Sequence, residues 1–161
     1  MVTVSANPLI TADFYHTGIV VPDLDAAKIR MTELAGYSWT TDLTAEVPVL
    51  TPDGEVRTLG MRYVYSLEAP RIELVQEIPG TFWAATPQFA THHLGYFCDD
   101  LAATSKLLEE AGFEREVCAA FDGVAPSVFA FHISPDGVRI EIVDRTRIPD
   151  LEEYLRERTP K

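Results

Sequence analysis

The chain has 161 residues, 47% hydrophobic and 24% charged, the balance of an ordinary globular protein long enough for one well-buried core. Its 25 acidic against 13 basic residues leave a net charge of −12, which excludes nucleic acid as a partner because phosphates would be repelled at every approach. No apolar run approaches the roughly 18 residues of a membrane span, and "MVTVSANPLITADF" lacks the basic-then-apolar order of a secretory signal, so no membrane partner and a cytoplasmic location are expected.

The first strand is expected in "FYHTGIVV", rich in β-branched and aromatic residues. An amphipathic helix follows over residues 24–37, with Asp23 placed as N-cap and Gly36 as C-cap glycine. Three strand-like stretches come next, at about 37–50, 56–66 and 70–77, the last containing "RIELVQ". Residues 78–90, with two prolines and a glycine, read as a linker. The order then repeats: a strand in "HHLGYFC", a helix over 101–113 between Asp100 and Gly112, and strands at about 114–120, 126–133 and 137–144, ending in "RIEIVD". A short helix over about 149–157 is extra, and its acidic "DLEEYLRER" reads as a solvated face.

The two halves share a phrase. "HTGIVVPDLDAA" at 16–27 aligns with "HHLGYFCDDLAA" at 92–103 at a shift of 77, so that His16 lies on His93, Gly18 on Gly95 and Asp23 on Asp100. The pattern is βαβββ twice, modules 13–77 and 91–144 of one domain spanning 1–161, which implies duplication and packing about a pseudo-twofold axis. The expected fold class is α+β, two tandem modules forming a cupped, barrel-like mixed sheet around a central cleft, plus the C-terminal helix. Cys98 and Cys118 are too few for a disulfide framework, and Cys98 sits in an apolar run as a buried thiol.

Strand alternation puts His16, Gly18 and Val20 on one face and Tyr15, Thr17 and Ile19 on the other. The same parity joins His93 with Gly95 and leaves His92 facing away. In the closing strands Arg71 and Glu73 share a face, as do Arg139 and Glu141, and each Glu stands between apolar neighbours. A carboxylate in a strand packed on both sides needs a cation or several donors. Each copy thus supplies one His and one Glu, and His16, Glu73, His93 and Glu141 together suit one divalent ion, Zn, Ni, Co, Mn or Fe(II). Taken singly, a strand His is usually structural and a strand Glu usually solvated; the recurrence at matching places favours the metal.

From Phe14 to Asp144 the chain resembles the vicinal oxygen chelate superfamily, also called the glyoxalase/bleomycin-resistance/dioxygenase family. "YHTGIVVPDLDAA", "RIELVQ", "PGTFW", "HHLGYFCDDL" and "RIEIVD" carry the resemblance, and within the superfamily it is most similar to the methylmalonyl-CoA epimerase branch. The resemblance implies a cupped barrel of paired modules, with metal ligands on their first and last strands falling on His16, Glu73, His93 and Glu141. Two places depart from the epimerase pattern. Glu73 stands where the epimerases place Gln, and Tyr63, after Gly60, stands where they carry a catalytic Glu.

The leading expectation is a metal-dependent isomerase, epimerase or lyase that abstracts a proton next to a carbonyl and stabilises the enediolate. Glu141 or Glu73 would move the proton and Tyr63 would assist. Arg71, Arg139, Tyr65 and Phe131 are the candidates for substrate binding, with Arg57 a further cation and Phe82, Trp83 and Phe129 further cleft aromatics. The substrate would be an acyl-CoA thioester, a 2-oxo compound or an apolar metabolite. A small-molecule sequestering protein and a secondary-metabolism enzyme on the same cleft remain as alternatives. His132 and His92 are read as structural, and "CDD" at 98–100 as helix capping. Homodimerisation stays open, since a cupped sheet exposes edges that the C-terminal helix would cover.

Overall fold

The computed structural model describes residues 7–88 and 90–161. Residues 1–6 of the stretch read above for a secretory signal, and Phe89 of the linker, lie outside the described residues. Among the described residues no helix is long and apolar enough to cross a membrane.

Eight strands form one closed barrel. The first half contributes β1 (Phe14–Val21), helix α1 (Leu24–Ala35), β2 (Leu43–Leu50), β3 (Val56–Tyr65) and β4 (Ile72–Gln76). The second contributes β5 (Thr91–Cys98), α2 (Leu101–Glu110), β6 (Glu114–Ala119), β7 (Ser127–Ile133) and β8 (Arg139–Asp144), and α3 (Leu151–Glu157) follows. Around the barrel the order is β1-β4-β3-β2-β6-β7-β8-β5, so each half is contiguous and the halves meet at β1/β5 and β2/β6. β1 runs parallel to β4 and β5 parallel to β8, while β1 and β5 are antiparallel.

The caps behave as their residue types require. Asp23 accepts a hydrogen bond from the Ala26 amide and Asp100 one from the Ala103 amide, both at 2.9 Å. Each satisfies one of the orphan donors at a helix start. Gly36 ends α1 at φ 78°, where a side chain would be strained.

The helices explain why each closing-strand Glu has apolar neighbours. Leu74 and partly buried Ile72 face outward into a cluster with Leu24, Ala27 and Val64 under α1. Ile140 and Ile142 do the same with Leu101 and Leu108 under α2. Burying each such side chain contributes about 1.5–3 kcal/mol. The alternate residues therefore face the barrel interior, Glu73 with Val75 on β4 and Glu141 with Val143 on β8.

Three expectations need correction here. Simple alternation fails at the strand starts: the β1/β5 register shifts between Phe14 and His16 and again between Gly18 and Ile19. The extra residue at each shift, Tyr15 and His92, is thereby turned toward the interior. Both were placed on the far face. The barrel also closes, so α3 covers no sheet edge; instead Leu155 is buried against Tyr15, Tyr65 and Ile148, while the acidic face of Glu152, Glu153 and Glu157 is solvated as expected.

Candidate metal centre

Two rows of residues cross the β4-β1-β5-β8 wall. Glu73 stands opposite Gly18 in the parallel β1/β4 ladder, and Gly18 opposite His93 in the antiparallel β1/β5 ladder. On the other side of the pseudo-twofold, His16 stands opposite Gly95, and Gly95 opposite Glu141. Each row thus reads carboxylate, glycine, histidine. The glycine has no side chain, and the histidine ring lies over it: a Cβ on Gly18 would overlap the His93 ring, and one on Gly95 the His16 ring. Both rings and both carboxylates converge from opposite sides on the same point.

The distances define a compact cluster. His16 Nε2 is 3.0 Å from His93 Nε2 and 3.0 Å from Glu141 Oε2. His93 Nε2 is 3.2 Å from Glu141 Oε2 and 3.4 Å from Glu73 Oε1, and His16 Nε2 is 3.8 Å from Glu73 Oε2. One ligand atom from each of the four lies within 4.8 Å of all the others. Donors about 2.1 Å from a common ion stand roughly 3.0 Å apart when adjacent and 4.2 Å when opposite, so the spacing fits a divalent cation. His16 and His93 are fully buried, and Glu73 and Glu141 are 7% and 8% exposed. Among the described residues Glu141 Oε2 has no aligned hydrogen-bond donor despite the two imidazole nitrogens beside it. Electron-rich atoms brought this close without aligned donors are what a cation resolves. The residues present fit the group.

Protons partly take that role in the protein by itself. Burial would raise the Glu141 carboxyl, but the adjacent His93 charge and the contacts with His16 and His93 outweigh it and hold it at about 2. Burial would lower His93, but the Glu141 and Glu73 carboxylates raise it to about 9. The metal-free cluster therefore holds an imidazolium–carboxylate pair, and an incoming cation must displace a proton.

The cluster opens onto a cavity of about 220 Å³ inside the barrel. Val47, Met61, Val75, Trp83, Phe129 and Phe131 form its apolar wall, and Tyr15, Tyr63, Tyr65 and Tyr154 line it with Glu73 and Glu141. Burial, then the neighbouring Tyr154 and the two glutamates, raise the Tyr63 phenol, so it stays protonated and serves as a donor.

The cavity receives Tyr63, Tyr65 and Phe131 of the residues expected there, but not the two arginines. Arg71 donates to Glu152 of α3 and to the Leu67 carbonyl on the outside. Arg139 is held in a fork by Glu116 at 2.6 and 3.0 Å and lies over the Phe82 ring. Both share the strand parity of Glu73 and Glu141, yet Glu152 of α3 and Glu116 of β6 hold their guanidinium groups away from the cavity. Arg57 is paired with Glu55 on the surface. Phe82 is not in the wall; it packs against His92 and Phe131.

His92 is the larger correction: its Nδ1 lies 2.9 Å from Nδ1 of His93. His132 is buried and hydrogen-bonded to Ser105 between β7 and α2, away from the cluster. Of "CDD", Asp100 caps α2 and Asp99 pairs with Arg145. Tyr154, Arg147 and Ile148 of the cavity were not anticipated, since they lie past the repeat and have no second copy to mark them. Tyr15 and His92 do occupy matching places in the repeat, 77 apart, and that equivalence was the available signal.

A closed barrel of two βαβββ halves, each giving one His and one Glu to a cluster on the shared inner wall, defines a paired-module barrel with a candidate metal centre. The model of the Glyoxalase/Bleomycin resistance protein/Dioxygenase superfamily matches residues 15–131, and the chain belongs to this superfamily. No curated protein matches it in sequence. Among solved structures it is similar to methylmalonyl-CoA epimerase from Mycobacterium tuberculosis, at 23% identity and a TM-score of 0.50 over 88% of this chain and 93% of that one. A Streptomyces coelicolor methylmalonyl-CoA epimerase variant in complex with 2-nitronate-propionyl-CoA aligns at 17% identity and a TM-score of 0.52, covering 82% and 96%. A hypothetical protein from Bacillus halodurans C-125 aligns at 15% identity and a TM-score of 0.53, covering 81% and 92%. At these identities the likeness is one of fold.

Proposed function

We propose that the protein is a divalent-metal-dependent isomerase or lyase that moves a proton at a carbon next to a carbonyl, with epimerisation of an acyl thioester as the first reaction to test. One observation carries the reading: the carboxylates lining the cavity are Glu73 and Glu141, and both belong to the cluster. His16, His93, Glu73 and Glu141 would hold the ion, which when bound supplies Lewis-acid stabilisation of charge on a substrate oxygen. Glu141 or Glu73 takes the proton, because among the residues lining the cavity these two carboxylates are the groups that can accept one. Tyr63, kept protonated, donates a hydrogen bond from the opposite side. The apolar wall excludes water and leaves room for a short acyl chain. Solved proteins of this fold bind methylmalonyl-CoA and a propionyl-CoA analogue, which sets the order of substrates.

The experiment has two arms. Elemental mass spectrometry of the purified protein, with His93→Ala and Glu141→Ala alongside, is expected to find one divalent ion per chain that both variants lose. Proton exchange in deuterated water is then followed by NMR with methylmalonyl-CoA, other acyl-CoA thioesters and 2-oxo acids. Metal-dependent exchange at the α-carbon supports the reading. A metal-loaded protein that binds such compounds without exchange overturns the enzyme reading in favour of a sequestering protein, and no metal after reconstitution overturns both.

A further inference from the structure

We infer that His92 is a positioning residue for the cluster: it accepts a hydrogen bond from Nδ1–H of His93 and thereby fixes His93 with its Nε2 facing the other three ligands. The inference rests on the reading of the cluster as a cation site. The hydrogen-bond chain runs in one direction. The Phe82 carbonyl only accepts, so His92 Nε2, 3.1 Å away, carries a proton and donates it. Neutral His92 then has a bare Nδ1, and that atom is 2.9 Å from Nδ1 of His93. Two bare nitrogens at that distance would repel, so His93 Nδ1 carries the proton between them. Nε2 of His93 is left to face His16 Nε2 at 3.0 Å and Glu141 Oε2 at 3.2 Å.

The support itself is anchored. The His92 ring stands edge-on to Phe82, with centroids 4.8 Å apart, and Arg139 donates to the His92 carbonyl at 3.3 Å. Arg139 is thus tied to the site through the backbone of the residue that orients a ligand. The bulge in β5 makes the arrangement attainable, since regular alternation would send His92 outward.

Among the described residues the other half has no such device. Position 15 is Tyr15, which stacks on Phe97 with centroids 3.8 Å apart, and among the described residues Nδ1 of His16 is buried without a hydrogen-bond partner. The two histidines are therefore unequal: the His93 ring is held from its outer nitrogen before any ion arrives, whereas the His16 ring has polar contacts only through Nε2, on the side of the cluster. Outer partners of this kind set the orientation of a metal-bound imidazole.

The test uses Co(II) as the probe and the full chain. In the metal-free wild type, a 15N–15N scalar coupling across Nδ1–H···Nδ1 between His93 and His92 is expected in an NMR spectrum of the labelled imidazoles. Its absence overturns the inference whatever the metal does. His92→Phe keeps the ring volume against Phe82 and removes the acceptor. Its Co(II) dissociation constant, read by chelator competition, is expected to rise about 10–100-fold, with a changed visible absorption spectrum. His92→Asn, which returns an acceptor oxygen at the Nδ1 place, is expected to recover most of the affinity. Unchanged affinity and spectrum in a folded His92→Phe protein overturn the positioning role. Failure of the wild type to bind Co(II) while the coupling is present marks the failure of the cation reading, and the inference falls with it.

Discussion

The imidazole of His93 fills the volume that a side chain at position 18 would need, and the imidazole of His16 does the same at Gly95. The glycine of each His-x-Gly phrase therefore serves the histidine of the other half, across the β1/β5 ladder. Gly18→Ala and Gly95→Ala should each destabilise the protein by about 1–3 kcal/mol through overpacking, and should weaken metal binding by displacing a ligand. Gly60→Ala is the control: its Cβ would meet only the Glu46 side chain, at 3.1 Å. Urea denaturation of the three variants checks this, and equal behaviour of Gly18→Ala and Gly60→Ala would refute it.

The metal-free protein should show a pH signature of the His93 pair. His93 is raised from its ordinary 6.5 to about 9, so the stability it contributes is complete below about 6.5 and is lost as pH rises through about 9. Glu141 is lowered from 4.5 to about 2, so its contribution is present above about 4.5 and is lost as pH falls toward 2. The difference in denaturation midpoint between the wild type and His93→Gln should therefore be largest near pH 5–6 and shrink toward pH 10. A difference that stays constant across that range would count against the pair.

Metal uptake should follow the same proton in the opposite sense. A cation displaces the His93 proton, so affinity should increase from pH 6 to pH 9 and then level off. Isothermal titration in buffers of different ionisation enthalpy should detect proton release at neutral pH. Proton-neutral binding would mean that His93 is not a ligand.

If turnover is found, the two candidate proton-handling groups should separate cleanly. Glu141→Gln removes a carboxylate and should lower kcat by about 10²–10⁴-fold. Tyr63→Phe removes only a donor, because the phenol is held protonated by burial and its acidic neighbours, and should cost about tenfold or less. A larger loss in Tyr63→Phe than in Glu141→Gln would reverse the assignment.

Asp100→Ala should cost about 1 kcal/mol by leaving the Ala103 amide without its acceptor at the start of α2. Metal content should be unchanged, since α2 packs on the outer face of β8. Loss of metal in this variant would show that the cluster depends on helix docking more than its distances suggest.

The repeat made the cluster findable from the sequence. The period of 77 paired His16 with His93, and the two closing strands paired Glu73 with Glu141, so local patterning alone brought out all four residues that the barrel gathers. The α+β class and the helix caps were legible for the same reason: alternation, capping residues and glycines act within a few residues of themselves. Tertiary structure decided what depends on register and on elements without a second copy. Two bulges, at Tyr15 and His92, invert the alternation that parity assumes, and nothing in a single strand's pattern announces them. Arg71 and Arg139 share a strand face with the glutamates by counting, yet Glu152 and Glu116 draw them away from the cavity. Tyr154 reaches the cavity because the closed barrel leaves an end for α3 to cover, and closure is a property of all eight strands together.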